Sequence, residues 1–301
     1  MALRITDSVR QATILQDLQN AANQLSQTQE TLASGKRINQ PSDDPFGTSE
    51  ALSLSSNLAA NSQYQRNVTE GEGWQNVTDS ALTSINNSVE RVRELVLEGS
   101  SDSAGPDARK AAAQEIDQLI DSIKQDADST YEGRYIFAGT KSGTKPYAVG
   151  GADAYAGDGG VVAREIGPGV SVQVNVLGSD LLGSGSGDGK LLDTLRGISA
   201  HLQGGSTADM NALRGSDLQG LDQNLSAIAQ AQATVGATTN RLQSASSRLQ
   251  DMAQTTTQLL SNVQDADMAQ TMTDFSMQQA VYESALRAGA NIVQESLLNF
   301  L

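Results

Sequence analysis

The chain has 301 residues, with 35 Asp and Glu against 20 Lys and Arg, no cysteine and one histidine, His201. A net charge of -15 repels phosphate backbones and anionic lipid, and the missing cysteines with a lone histidine remove disulfides, thiol nucleophiles and any zinc site built on two or more Cys or His ligands. Aromatic residues are only 4% of the chain, so the apolar material is Leu, Ile, Val and Ala, which suits thin seams between helices better than a thick globular core.

The first residues contain no basic region followed by an apolar stretch, so no cleaved secretory signal is expected, and no run approaches the 18 apolar residues of a membrane span. Apolar positions then recur at Leu15, Leu18, Ala22, Leu25 and Leu32, the spacing of one helix face. A cleaner stripe follows: Tyr64, Val68, Gly71, Gln75, Thr78, Leu82, Ile85, Val89, Val92 and Val96 alternate steps of three and four. That is a heptad register, and the segment from Pro45 to Gly99 predicts one helix of about 80 Å at 1.5 Å per residue. Gly71 and Gly73 are expected to weaken it by about 1 kcal/mol each relative to Ala. Pro106 opens a further helix through Ile116, Ile120 and Ile123 to near Gly133.

Between Arg134 and Gly189 the pattern changes to short segments separated by glycine. Val170 to Val176 alternates with period two, the mark of a half-buried strand, and Gly167-Pro168-Gly169 before it signals a turn. Gly183 to Gly189 reads as a flexible linker back to helix. A short helix then ends at Gly204-Gly205, and a long one is expected over 209–266 with the stripe Leu242, Ala245, Leu249, Met252, Thr256, Leu259, Val263 and Ala266. The register continues as Met268, Met272, Phe275, Gln279, Tyr282, Leu286, Gly289 and Val293.

The expected fold is therefore mainly α with a small β insert: long antiparallel helices in a coiled coil formed by paired N- and C-terminal flanks around a central β-rich module. The expected domains are 1–40 with 267–301, 41–133 with 190–266, and the insert 134–189 with its linker. Chemical motifs fail on inspection. Gly189-Lys190 lacks the glycine and hydroxyl residue of a phosphate loop, since Ser184 and Leu191 stand there. His201 has no nucleophile in its neighbourhood and reads as a surface residue near a helix C-terminus. Asp43-Asp44 fits a helix start better than an acid-base pair. No catalytic residue, cofactor or metal is expected, and the stripes that reach both ends of the chain favour packing against other subunits.

The run Leu32-Ala33-Ser34-Gly35-Lys36-Arg37-Ile38-Asn39-Gln40-Pro41-Ser42-Asp43-Asp44-Pro45 resembles the N-terminal signature of the bacterial flagellin superfamily. Asp265-Ala266-Asp267-Met268-Ala269, Gly289-Ala290 and the ending Leu297-Leu298-Asn299-Phe300-Leu301 look like the matching C-terminal signature. Within the superfamily, Gly133 to Lys141 with Pro146-Tyr147 is similar to the hook-associated branch that joins hook to filament. The resemblance implies a structural adaptor rather than an enzyme, exported to the extracellular flagellum by a type III apparatus without a cleaved signal peptide. It implies an inner layer made of Leu15, Leu18, Leu25, Leu32, Phe275, Tyr282, Leu286, Val293, Leu297, Leu298, Phe300 and Leu301, with Gly35, Arg37, Asn39, Pro41, Asp43 and Asp44 as the family motif. The implied partners are flagellin, the preceding hook-associated protein, an export chaperone on the C-terminal helix, and further copies of the chain in a junction ring. Nucleic acid and membrane insertion are not implied. A filament-forming flagellin is the alternative, and a binding or enzymatic module in the insert is a third.

Overall fold

The computed structural model describes the backbone of residues 2–298 and the side chains at 9 and 12–290. In chain order the elements are α1 (Ala2–Ser34), α2 (Pro45–Gly99), α3 (Pro106–Ala127), β1 (Thr130–Tyr131), β2 (Arg134–Tyr135), β3 (Ala163–Gly167), β4 (Val170–Gln173), α4 (Gly178–Leu181), α5 (Leu191–Gly204), α6 (Thr207–Ala212), a π-turn (Leu213–Asp217), α7 (Leu218–Gln264) and α8 (Met268–Leu298). The strands form two antiparallel pairs, β1 with β2 and β3 with β4. The mainly helical fold with a small β component is thus as the sequence predicts. No described helix is long and apolar enough to cross a membrane. The chain divides into two compact units: unit 1 is Met1–Ala60 with Met252–Leu301, and unit 2 is Asn61–Asp251.

Unit 2 is organised on the stripe of α2. Val68, Gln75, Leu82, Val89 and Val96, one heptad apart, are all buried, as are Thr78, Ile85 and Val92 between them. The facing stripe on α7 is equally regular: Leu221, Ile228, Val235, Leu242 and Leu249 are buried at intervals of seven. The two helices run antiparallel, braced by Arg93 Nε to Asp222 Oδ1 at 3.0 Å, Gln65 Nε2 to Ser246 Oγ at 2.8 Å and Asn61 Nδ2 to the Leu249 carbonyl at 2.9 Å. Ile116, Ile120 and Ile123 of α3 and Leu191, Leu195, Ile198 and Leu202 of α5 close the same core. Burying each such side chain contributes about 1.5–3 kcal/mol relative to leaving it exposed. Ile136, Phe137, Tyr147, Val174 and Leu182 belong to this core too, so the segment 134–189 packs on the helices and has no separate interior.

Gly71 and Gly73 are points of close approach. A Cβ at Gly71 would lie 3.2 Å from Leu242 Cδ1, and one at Gly73 only 2.4 Å from the Tyr131 hydroxyl. Tyr131 lies edge-on to Trp74, with ring centroids 6.2 Å apart. At Gly73 the local loss of helix propensity is offset by packing that a Cβ would displace, while at Gly71 the fit is tight against a Leu242 methyl. The β1–β2 hairpin turns through Glu132 (φ 50) and Gly133 (φ 76), the left-handed pair required by a two-residue turn matching the strand twist.

Three boundaries differ from the sequence reading. The third helix stops at Ala127 because the hairpin follows at once. At the start of the glycine-separated region only Arg134 and Tyr135 pair as strand; Ile136, Phe137 and Ala138 are buried. The segment 183–189 is a hydrogen-bonded turn instead of a linker. Asp188 Oδ2 accepts from the Ser184 amide at 2.6 Å and Oδ1 from the Lys190 amide at 2.9 Å, while Asp193 accepts from Gly187 and Gly189. The Tyr147 hydroxyl closes it by donating to the Gly183 carbonyl at 2.6 Å. A fourth feature, absent from the pattern, is the π-turn between α6 and α7.

The loop after Tyr147 is clamped by charge. Lys124 is fully buried; its Nζ lies 2.5 Å from Asp153 Oδ1 and donates to the Gly151 carbonyl at 2.9 Å. Arg196 reaches the other Asp153 oxygen at 3.0 Å and Asp117 at 3.1 Å. Burial pushes the Asp153 carboxyl up, but Arg196 and Lys124 outweigh it and hold it below the usual carboxylate value. Asp188 is likewise held low by its backbone donors against burial, whereas burial raises Asp126 and Asp128.

Two predictions arise from unit 2. Gly73→Ala gains helix propensity yet forces Tyr131 to move, and chemical denaturation should show a net loss of about 1–3 kcal/mol. The depressed carboxylates stabilise unit 2 fully above their unfolded value and lose that contribution as pH falls through their folded values, while the raised pair act earlier and in the opposite sense. Thermal melts should therefore show stability rising slightly as pH drops to about 4 and falling steeply below it.

Candidate assembly interface

Unit 1 joins α1 to α2 through residues 35–44, and α7 to α8 through 265–267. Gly35, at φ 70, ends α1 in the left-handed conformation that glycine adopts without strain. The chain then lies against the second turn: the Arg37 amide donates to the Gln264 carbonyl at 2.7 Å and the Ala266 amide to the Gly35 carbonyl at 3.0 Å. Arg37 Nη2 donates to the Val263 carbonyl at 2.9 Å, where a cation complements the free carbonyls of a helix end, and its Nη1 lies 3.6 Å from Asp44.

The acidic pair is structural, as its spacing predicts. Asp43 Oδ2 accepts from the Asn39 amide at 3.0 Å and the Gln40 amide at 2.8 Å, fixing the turn over exposed Pro41. Asp44 caps α2, its Oδ1 accepting from the Gly47 amide at 2.9 Å. A Cβ at Gly47 would sit 2.5 Å from Asp44 Oδ2 and 2.7 Å from Ile38 Cδ1, so this cap needs glycine there. Asp267 caps α8 in the same manner through the Ala269 and Gln270 amides. Gly35, Arg37, Asn39, Asp43 and Asp44 thus form one bonded turn, which meets Asp265 and Ala266.

From this turn α1 and α8 lie side by side and antiparallel, Thr28 hydrogen-bonded to Gln278 and Gly289 against Ile14 and Leu18. Leu18, Leu25, Leu32, Phe275 and Tyr282 are half-buried, whereas Leu15 and Leu286 are exposed, Leu15 by 63%. The α8 backbone continues to Leu298; the side chains of Val293, Leu297 and Leu298, and residues Phe300 and Leu301, lie outside the described residues. The fully buried apolar side chains of unit 1 are only Ile38 and Ala51 among the described residues. Large apolar side chains instead face outward: Met268 and Met272 on one flank of α8, Met277 and Val281 on the other.

The second flank was missed by reading a single stripe. At 100° per residue, Met277 and Val281 fall well away from Phe275 and Tyr282. Their spacing of four beside a shallow groove with Ala21 and Gln24 is the signal that α8 is apolar on more than its α1-facing side. The described residues hold no cluster of three or more metal-binding side chains. His201 is bonded instead to Asp217 at 2.6 Å near the end of α5.

Asp44→Ala removes the α2 cap and the partner of Arg37. It should cost about 1 kcal/mol and raise the hydrogen-exchange rate at Gly47 and Thr48 while leaving the amides of the unit 2 core unchanged.

Residues 5–142 match the bacterial flagellin N-terminal helical region and residues 218–301 the bacterial flagellin C-terminal helical region. Flagellar hook-associated protein 3 of Escherichia coli K12 is 27% identical over 293 residues, covering 86% of this chain and 87% of that protein. Polar flagellin F of Vibrio parahaemolyticus is 28% identical over 153 residues, covering 50% of this chain and 40% of that one. The crystal structure of Bacillus cereus FlgL shares the fold, with a TM-score of 0.59 at 23% identity over 69% of this chain and 99% of that one. With both helical regions matched on one chain and their signature turns bonded to each other, the protein belongs to the bacterial flagellin family and is similar along most of its length to hook-associated protein 3.

Proposed function

We propose that the chain is a structural adaptor of the bacterial flagellum, joining the hook, through the preceding hook-associated protein, to the flagellin filament. The observation that carries this reading is the extent of likeness: it spans most of both chains for hook-associated protein 3 and only half of this chain for a flagellin. The chemistry of unit 1 supports it. Among the described residues the α1–α8 pair has no fully buried apolar side chain and has apolar flanks on both sides of α8, so it gains its stability from further helices, because isolated helices are marginal without tertiary packing. On this reading α1 and α8 enter an inner layer with neighbouring copies, Leu15 and Leu286 become buried, and the C-terminal tail from Leu297 extends that layer. An export chaperone would cover the same face of α8 before assembly, and delivery outside the cell would proceed without a cleaved signal. The role is one of shape and packing, with no catalytic step.

Purified protein mixed with hook fragments or short flagellin seeds, followed by sedimentation and electron microscopy, tests this. Protein that stays monomeric alone but binds fragment ends supports the junction role; long filaments of this chain alone would make it a filament flagellin. Truncation before Leu297 should abolish incorporation while unit 2 keeps its melting transition, and normal incorporation of that variant would remove the tail from the inner layer.

A further inference from the structure

In unit 2, a concave site of about 310 Å³ opens where β2, the loop around Thr140–Ser142 and the start of β3 meet α2. Its wall includes Trp74, Arg134, Thr140, Ser142, Val161 and Arg164, and no carboxylate among the described residues. That is unusual ground in a chain with a net charge of -15. Arg134 stands directly after the left-handed Glu132-Gly133 turn, exposed, and its guanidinium has no hydrogen bond or ion pair among the described residues. Arg164 is held in place by Glu70 Oε1 at 2.6 Å and the Ala163 carbonyl at 3.2 Å. A guanidinium has five N–H donors, so Arg164 keeps several unused. Trp74 is 1% exposed, and its indole Nε1–H has no hydrogen-bond partner, an exception among buried polar groups.

The wall therefore carries a surplus of donors beside an apolar surface from exposed Val161. Two carboxylates beside the wall are already engaged: Glu70 by Arg164, and Asp158 by the Thr140 hydroxyl and amide and the Gly160 amide. Two guanidinium groups on one wall, one held by Glu70 and one unpaired, supply the forked N–H donors that carboxylates accept from. We infer that this pocket is a carboxylate-binding subsite, taking an acid group on a short aliphatic stem, either a glutamate side chain of another chain or a free dicarboxylic acid. The stem lies along Val161 and the acid group between Arg134 and Arg164. The site lies within unit 2 and uses no residue of unit 1.

Trp74 is the sole tryptophan, so its fluorescence and its single indole N–H resonance report on the pocket directly. The full chain is titrated with glutarate, with N-acetyl-glutamate N-methylamide as a protein-like acid, and with glutaramide as the neutral isostere. Either acid should shift both signals saturably and glutaramide should not. Arg134→Gln should weaken binding at least about tenfold with no change in melting temperature, and Arg134→Lys should fall between. A response to the blocked glutamate alone assigns the site to a protein side chain, one to glutarate alone to a free acid, and one to both to the acid group itself. No saturable response, an equal response to glutaramide, or unchanged binding in Arg134→Gln overturns the inference.

Discussion

Unit 2 is built along one buried face of α2 from Val68 to Val96, which serves two apolar clusters, a large one around Leu82–Val96 and a small one around Val68. Two heptad stripes, on α2 and α7, give a long and thin interface, and a chain poor in aromatics can fill it with Leu, Ile and Val. The remaining helices and both hairpins settle onto that seam. Their close approaches fall where α2 carries glycine: a tight fit to Leu242 at Gly71 and, at Gly73, a space that Tyr131 fills.

Unit 1 obeys a different constraint. Its order comes from polar bonds at the two turns, where Arg37, Asp43 and Asp44 satisfy the helix ends, far more than from buried apolar area. Backbone groups at helix termini need partners wherever they are, so the motif holds its geometry without a core beneath it. Several apolar residues of α1 and α8, among them Leu15, Met272, Met277 and Val281, then face outward, whereas the stripes of unit 2 are buried.

Regular spacing was legible from the sequence; distant partnerships were not. Nine of the ten positions of the α2 stripe are buried as its spacing implies, and Tyr64 is half-buried. The acidic pair at 43–44 was readable because the amides it accepts from lie within four residues. Lys124 was invisible as a buried cation because Asp153 and the Gly151 carbonyl come from a loop nearly thirty residues on. The glycines at 183–189 suggest looseness by composition, yet Asp188 and Asp193 bind four amides of that turn. Likewise, Gly73 reads locally as a weak point, and only the position of Tyr131 reveals the slot it provides. The same holds for the pocket beside Trp74, whose two arginines are thirty residues apart in sequence.

The π-turn at Leu213–Asp217 acts as a phase shifter. Buried residues of α7 recur every seven positions from Leu221, but the buried leucine before them is Leu213, eight residues earlier. The wider turn absorbs that one extra residue. With an uninterrupted α-helix, position 214 would fall on the seam and put a guanidinium in the core. As built, Arg214 points out of the seam to the Ser100 carbonyl at 2.7 Å and pins the connection between α2 and α3. A single-residue irregularity thus lets one strand of sequence serve two registers.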